Sequence, residues 1–168
     1  RYHNTSLTIA SEVGFAASYT STKMIAITGT NGKSSCSWYT YQYLSSLGYR
    51  CFVGGNFGTA LSEMVIEELV RISDEVPYSY AVVEISSYQM EFPYGFSPCV
   101  GVALNLTPDH LARHQTMDIY AQMKRRIFAS LNTDAFCVYP LEDVRLHPKS
   151  INAKHVILCQ EKPQVDIQ

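Results

Sequence analysis

The chain has 168 residues, 46% of them hydrophobic and 17% charged, with a formal net charge of −2. That is the composition of a folded domain with its own core, not of a disordered segment. Its composition gives no hint of the basic face that nucleic acid would need, and no apolar run approaches the ~20 residues that cross a membrane.

Short β-rich runs alternate with helical patterns along the chain. "MIAIT" (24–28) predicts a buried strand, and "SSCSWYTYQYLSSLG" (34–48) a helix whose C-terminal cap is Gly48. "RCFVG" (50–54) predicts a second strand. Residues 59–72 place Leu61, Met64, Val65, Leu69 and Ile72 near one helical face. "YAVVEI" (80–85) and "CVGVALNL" (99–106) predict two more strands, followed by a helix over 117–131. "AFCVY" (135–139) and "KHVILC" (154–159) complete the strands, and the polar tail "QEKPQVDIQ" reads as a frayed end. This alternation predicts a three-layer α/β fold with a mainly parallel sheet, and the continuous apolar strands fit burial on both faces. The five cysteines are odd in number and widely spaced, with no C-x-x-C pair. They read as small buried hydrophobes in a reducing compartment rather than as a disulfide framework. The first residues lack the charged start and apolar core of a signal peptide.

The chemistry concentrates at the strand ends. "TGTNGKSS" (28–35) joins the first strand to the first helix. In such a loop, backbone N–H groups and a helix N-terminus favour phosphate oxygens, a lysine adds a point charge, and the following hydroxyl suits Mg²⁺. Lys33 and Ser34 hold those places. The spacing is a shortened G-x-x-G-K-S, because Ile27 stands where the longer loop has glycine. The alternative is an ordinary glycine turn capping a helix. Glu84 ends the third predicted strand, and Asp109 and His110 follow the fourth. In parallel sheets, ligands collect at the carboxyl ends of strands, so these groups should share an edge with the loop. His110 and His114 form an H-x-x-x-H pair, which without a third ligand is weak evidence for zinc. His3, His147 and His155 read as surface residues.

Together these segments resemble the central, ATP-binding domain of the Mur ligases, the amide-forming enzymes of peptidoglycan precursor synthesis. "ITGTNGKSS", "GGNFG" (54–58), "VVEISSYQMEF" (82–92), "ALNLTPDHLARH" (103–114) and "YAQMK" (120–124) follow in that family's order, over about residues 10–139. The "SSYQME" form of 86–91 is most like the branch that adds D-glutamate to UDP-N-acetylmuramoyl-L-alanine. The resemblance implies that Gly29, Thr30, Asn31, Gly32, Lys33, Ser34 and Ser35 bind ATP. It implies that Ser34 and Glu84 hold one Mg²⁺, that His110 and a carbamylated Lys124 hold a second, and that Lys33, Glu84, His110 and Lys124 are catalytic. Asn56, Ser86 and Gln89 fall on the substrate side. The implied partners are the UDP-linked muramoyl substrate and D-glutamate, with no nucleic acid and no membrane. The implied compartment is the cytoplasm, with a plastid stroma as alternative.

Departures are Ser35 for the commoner Thr, Tyr88 for Phe, and Ala112 where the family's "DHLDRH" form has Asp. The motifs expected of an N-terminal UDP-binding domain, a C-terminal amino-acid-binding domain and a late adenine-side segment are not found. The expected unit is therefore residues 1–168 as one incomplete central module. Two further readings stay open: a nucleotide-binding scaffold without catalysis, and a folylpolyglutamate synthetase-like ligase.

Overall fold

The computed structural model describes residues 7–70, 77–149 and 153–158. Six strands, β1 (Lys23–Thr28), β2 (Cys51–Gly55), β3 (Tyr80–Glu84), β4 (Val100–Ala103), β5 (Phe136–Pro140) and β6 (Lys154–Leu158), form one sheet in the order β2-β3-β1-β4-β5-β6. All neighbours are parallel, as the continuous apolar strands predict. The helices are α1 (Glu12–Ala17), α2 (Lys33–Ser46), α3 (Leu61–Val70), α4 (Leu111–His114) and α5 (Met117–Arg125). Gly48, at φ 86°, follows the C-cap of α2 as expected.

Parallel pairing needs crossovers, and the right-handed crossover rule distributes the helices over two faces. Met24 and Ala26 of β1 and Ala81 and Val83 of β3 enter one core with Val13 of α1, Met64 of α3 and Tyr120 and Ala121 of α5. The alternate residues Ile27 and Val82 are equally buried but lie outside that cluster, on the face taken by α2. The connection after β1 therefore leaves on one face and the connection after β4 on the other. Between these adjacent strands lies the topological switch point, where parallel sheets open a crevice at their carboxyl ends.

Several elements differ from the sequence expectation. α3 buries Leu61, Met64 and Val65, but Leu69 is 67% exposed, and Ile72 lies outside the described residues. The strand expected over 99–106 leaves the sheet after Ala103. The helix expected over 117–131 is α-helical only to Arg125 and tightens to a 3-10 turn over Arg126–Phe128. α1 is not anticipated: six residues capped by Ser11, whose hydroxyl accepts from the Gly14 amide, are too few to show a period. Among the described cysteines Cys137 is buried, while Cys36, Cys51 and Cys99 are half-buried thiols; Cys159, His3 and the tail lie outside the described residues. His155 is exposed, but His147 is partly buried. No helix among the described residues is long and apolar enough to cross a membrane.

Candidate functional site

The loop after β1 turns into α2 at Gly32. Its φ of 80° is a left-handed conformation that glycine adopts without the usual Cβ penalty. Gly32 caps the helix without a side chain, so the first amides of α2 and the positive end of its dipole face the crevice. Lys33, the first helical residue, folds its ammonium back onto the Thr30 carbonyl at 2.9 Å. Ser34 and Ser35 are exposed on the same turn.

Glu84 ends β3 in register with Ile27 of β1, which puts its carboxylate beside the loop as predicted. It is only 2% exposed, and both its oxygens are engaged. Ser34 Oγ donates to one at 2.6 Å, and Asn56 Nδ2 donates to the other at 2.8 Å. Asn56 is carried there by the loop after β2. Gly55, at φ 103°, lies so close to the Glu84 carbonyl that an added Cβ would sit 2.6 Å from that oxygen. The Asn56 amide donates to the same carbonyl at 2.9 Å. Asn56, expected on the substrate side, thus touches the carboxylate expected to hold a metal.

The opposite wall comes from the connection after β4. His110 has φ 52°, unusual for a residue with a side chain, and its amide is held by the Asp109 carboxylate at 2.8 Å. Its ring lies edge-on to Tyr88 and Tyr120, with centroids 5.0 and 6.1 Å away. Lys124 is 1% exposed on α5, on the face that carries the equally buried Tyr120, Ile127 and Phe128. Arg125 and Arg126 turn elsewhere, to the carbonyls of Arg145 and of Met90 and Glu91. The Lys124 amine donates to the Gly29 carbonyl at 2.7 Å and lies 4.5 Å from the centre of the Tyr120 ring. Burial first, and then the Lys33 ammonium, push its pKa down to about 7. A cleft of about 170 Å³ joins the two walls, lined by Lys33, Asn56, Ser86, His110, Tyr120 and Lys124 among others.

Two expectations change in detail. Gln89 accepts from the Ser86 amide and hydroxyl at 2.9 and 3.0 Å, so it shapes the turn that presents Ser86. His114 does not join His110 in a metal pair: it is 3% exposed and bonded to Ser87 at 2.9 Å. Among the described residues, no group of three His, Cys, Asp or Glu could hold a metal ion.

Sequence reasoning missed Asn105. Its Oδ1 accepts from the amides of Thr30 and Asn31 at 3.1 and 2.9 Å, and its Nδ2 donates to the Asn31 carbonyl at 2.9 Å. One side chain after β4 thereby fixes the loop after β1. The only prior signal was its place in "ALNLTPDH", next to a strand end.

Residues 27–166 match the family described as "Mur ligase middle domain", running past Tyr139, where the motif resemblance stops. The UDP-N-acetylmuramoylalanine–D-glutamate ligase of Lachnospira eligens is 39% identical over 142 residues, 84% of this chain and 30% of that protein. Its namesake in Legionella pneumophila strain Lens is 44% identical over 108 residues, 64% of this chain and 23% of that protein. The chain thus spans less than a third of the length of these relatives. Among solved structures, a MurF ligase from Thermotoga maritima in complex with ADP superposes with a TM-score of 0.66 at 20% identity, over 96% of this chain and 40% of that one. E. coli FolC in complex with DHPP and ADP gives 0.52 at 14% identity, over 82% and 43%. These structural likenesses bear on the fold alone. The sequence match extends over nearly the whole sheet and every strand-end group of the cleft: the chain belongs to the Mur ligase middle-domain family.

Proposed function

We propose that this chain is the ATP-handling module of a ligase that joins D-glutamate to UDP-N-acetylmuramoyl-L-alanine, in the cytoplasm. The observation that carries the reading is the cleft itself, where Lys33, the Ser34–Glu84–Asn56 set, His110 and Lys124 meet at the switch point. The relatives named for this reaction supply the substrate identity. A carboxylate is a poor electrophile towards an amine. In the proposed sequence the muramoyl-alanine carboxylate attacks the γ-phosphorus of ATP, and ADP leaves. The D-glutamate amine then attacks the acyl phosphate carbon, phosphate leaves, and the nitrogen gives up a proton. This chain's part is to gather charge-stabilising groups around the transferring phosphoryl group. The Lys33 ammonium and the α2 N-terminus face the phosphates, and Asn105 keeps the loop in shape.

The donor set fits Mg²⁺. Ser34 Oγ and the Glu84 carboxylate are hard oxygen donors already 2.6 Å apart, and Mg²⁺ in such sites takes one or two protein oxygens and completes its shell with water and phosphate. Ser34 and Glu84 would hold one ion; His110 and a carbamylated Lys124, on the opposite wall, would hold a second. The ions would neutralise charge on the phosphates. Lys124 is suited to carbamylation: near neutral pH much of it is the free amine, which attacks CO₂ to form an N–C bond and releases a proton to water.

The test is phosphate release by the full-length protein carrying this chain. Release should require ATP, UDP-N-acetylmuramoyl-L-alanine and D-glutamate together. Release with a folate acceptor and L-glutamate, and none with the muramoyl substrate, would overturn the assignment.

A further inference from the structure

Helix α4 is four residues long and bracketed by two positive φ angles on residues with side chains, 52° at His110 and 65° at Gln115. A short helix with strained ends persists only where neighbours over-determine it. Two adjacent residues tie it to segment 86–91. Arg113 makes a two-pronged pair with Glu91, at 2.9 and 2.6 Å, on the outside, where its side chain is 60% exposed. His114 points inward. Its Nε2 meets Ser87 Oγ at 2.9 Å, and both residues are buried, at 3% and 2% exposure. Its ring lies against Tyr120, 5.3 Å away and 22° from parallel, and 5.5 Å from Tyr88 on another side.

Tyr120 is the centre of this arrangement. The His114 ring stacks on it, the Lys124 amine lies over its ring, and its hydroxyl meets Thr30 Oγ1 of the phosphate loop at 3.3 Å. A ring held by His114 therefore positions two groups of the cleft at once. Packing confines the imidazole between the two rings, and the bond to Ser87 fixes which way its Nε2 faces. Surface pairs such as Arg113–Glu91 contribute little, whereas a buried polar group that loses its partner costs free energy.

We infer that Ser87 and His114 are positioning residues: a buried hydroxyl–imidazole pair that sets the Tyr120 ring and, through it, the Thr30 loop and the Lys124 amine. The inference rests on the cleft being the nucleotide site. The test uses this chain with Ser87→Ala, His114→Phe, the double variant, and Arg113→Ala as a control on the same helix. Tyrosine-labelled protein reports Tyr120 ring flipping by NMR, and titration reports Mg·ATP affinity. In the wild type the two edges of the Tyr120 ring should give separate signals. In each single variant they should merge, and affinity should fall about fivefold, the size of one net hydrogen bond. The double variant should fall no further, because the pair acts as a unit. Arg113→Ala should leave both readouts unchanged. If His114→Phe does not fold, Ser87→Ala, the smaller change, decides. Unchanged Tyr120 signals or unchanged affinity in Ser87→Ala, or additive losses in the double variant, would overturn the inference. A wild-type chain that binds no Mg·ATP would instead count against the nucleotide-site reading, and the Tyr120 signals alone would then decide the pair.

Discussion

Lys124 occupies a place where a charge is costly. Its amine is buried among apolar residues of α5, with the Lys33 ammonium as an unfavourable neighbour, and its folded pKa is about 7 against an ordinary 10.5. Between those values the unfolded chain carries a proton that the folded chain lacks. Unfolding then takes up a proton, so stability should rise with pH from about 7 upward. The rise should be read below the ordinary thiol range. Burial pushes the Cys137 thiol up to about 12, so above that range the unfolded thiolate favours unfolding as pH climbs. In CO₂-free buffer, the urea midpoint should increase from about pH 7 to about pH 8, below the ordinary thiol range, and Lys124→Met should flatten the increase. Equal slopes in the two proteins would show that Lys124 is not the titrating group. Lys33 has the opposite task, to present charge. Removing its ammonium in Lys33→Ala should weaken Mg·ATP about tenfold, the size of a charge-assisted contact, and a titration giving equal affinities would remove it from the site. The inward turn of Lys124 was only half legible: it shares a helical face with Tyr120, Ile127 and Phe128, but among the bases of "KRR" it reads by itself as solvated, and the family resemblance singled it out. The partners of His114 and Asn105 were not: Ser87 is 27 residues from His114, and Asn105 is 75 from Thr30, beyond any local pattern.

At the scale of elements, periodicity found what was long and missed what was short. β1 and β3 showed themselves by apolar runs and α3 by helical spacing, whereas α2, which buries only Ser37, showed itself by the loop before it and its cap at Gly48. α1 and α4 span six and four residues, less than two helical turns, and are held by contacts that no window displays. α5 matters most, because it carries both Tyr120 and Lys124 into the cleft. Its start is fixed locally: Thr116, in extended conformation, accepts from the Ile119 amide at 3.2 Å, and Asp118 in the first turn suits the dipole. Thr116→Ala should therefore destabilise the chain by about 1 kcal/mol. Thr116→Ser, which keeps the oxygen, should recover most of it in thermal melts. A loss as large in Thr116→Ser would assign the effect to packing rather than capping. The early end of α5 also has a local reading: past Arg125 the chain tightens, and Ile127 and Phe128 drop into the core beside β4, where the Phe128 ring lies against Gly101.

At the scale of the whole molecule, the site belongs to no single segment. The loop after β1, the end of β3, the loop after β2, the connection after β4 and α5 all contribute, and they are joined by Ser34–Glu84, Asn56–Glu84, Asn105–Thr30 and Lys124–Gly29. The parallel sheet brings them together because every strand ends at the same edge, which is why the sequence could place the loop, Glu84 and His110 at one edge from the carboxyl ends of the strands, without the strand order. It follows that a ligand in the cleft should stabilise the fold as a unit, not one loop. A ligand that binds only the folded state at 100 times its dissociation constant adds about 2.7 kcal/mol. For a chain of this size each kcal/mol moves the melting midpoint by roughly 2–4 °C. Saturating Mg·ATP should then raise the midpoint by about 5–10 °C in one cooperative transition. At the same nucleotide concentration Lys33→Ala, binding about tenfold more weakly, should show a clearly smaller rise. Glu84→Gln, which keeps the shape but removes the charge beside Ser34, should lose the part of the rise that requires Mg²⁺ and keep the part given by ATP with EDTA. A rise that is identical in all three proteins would place the nucleotide elsewhere on the chain.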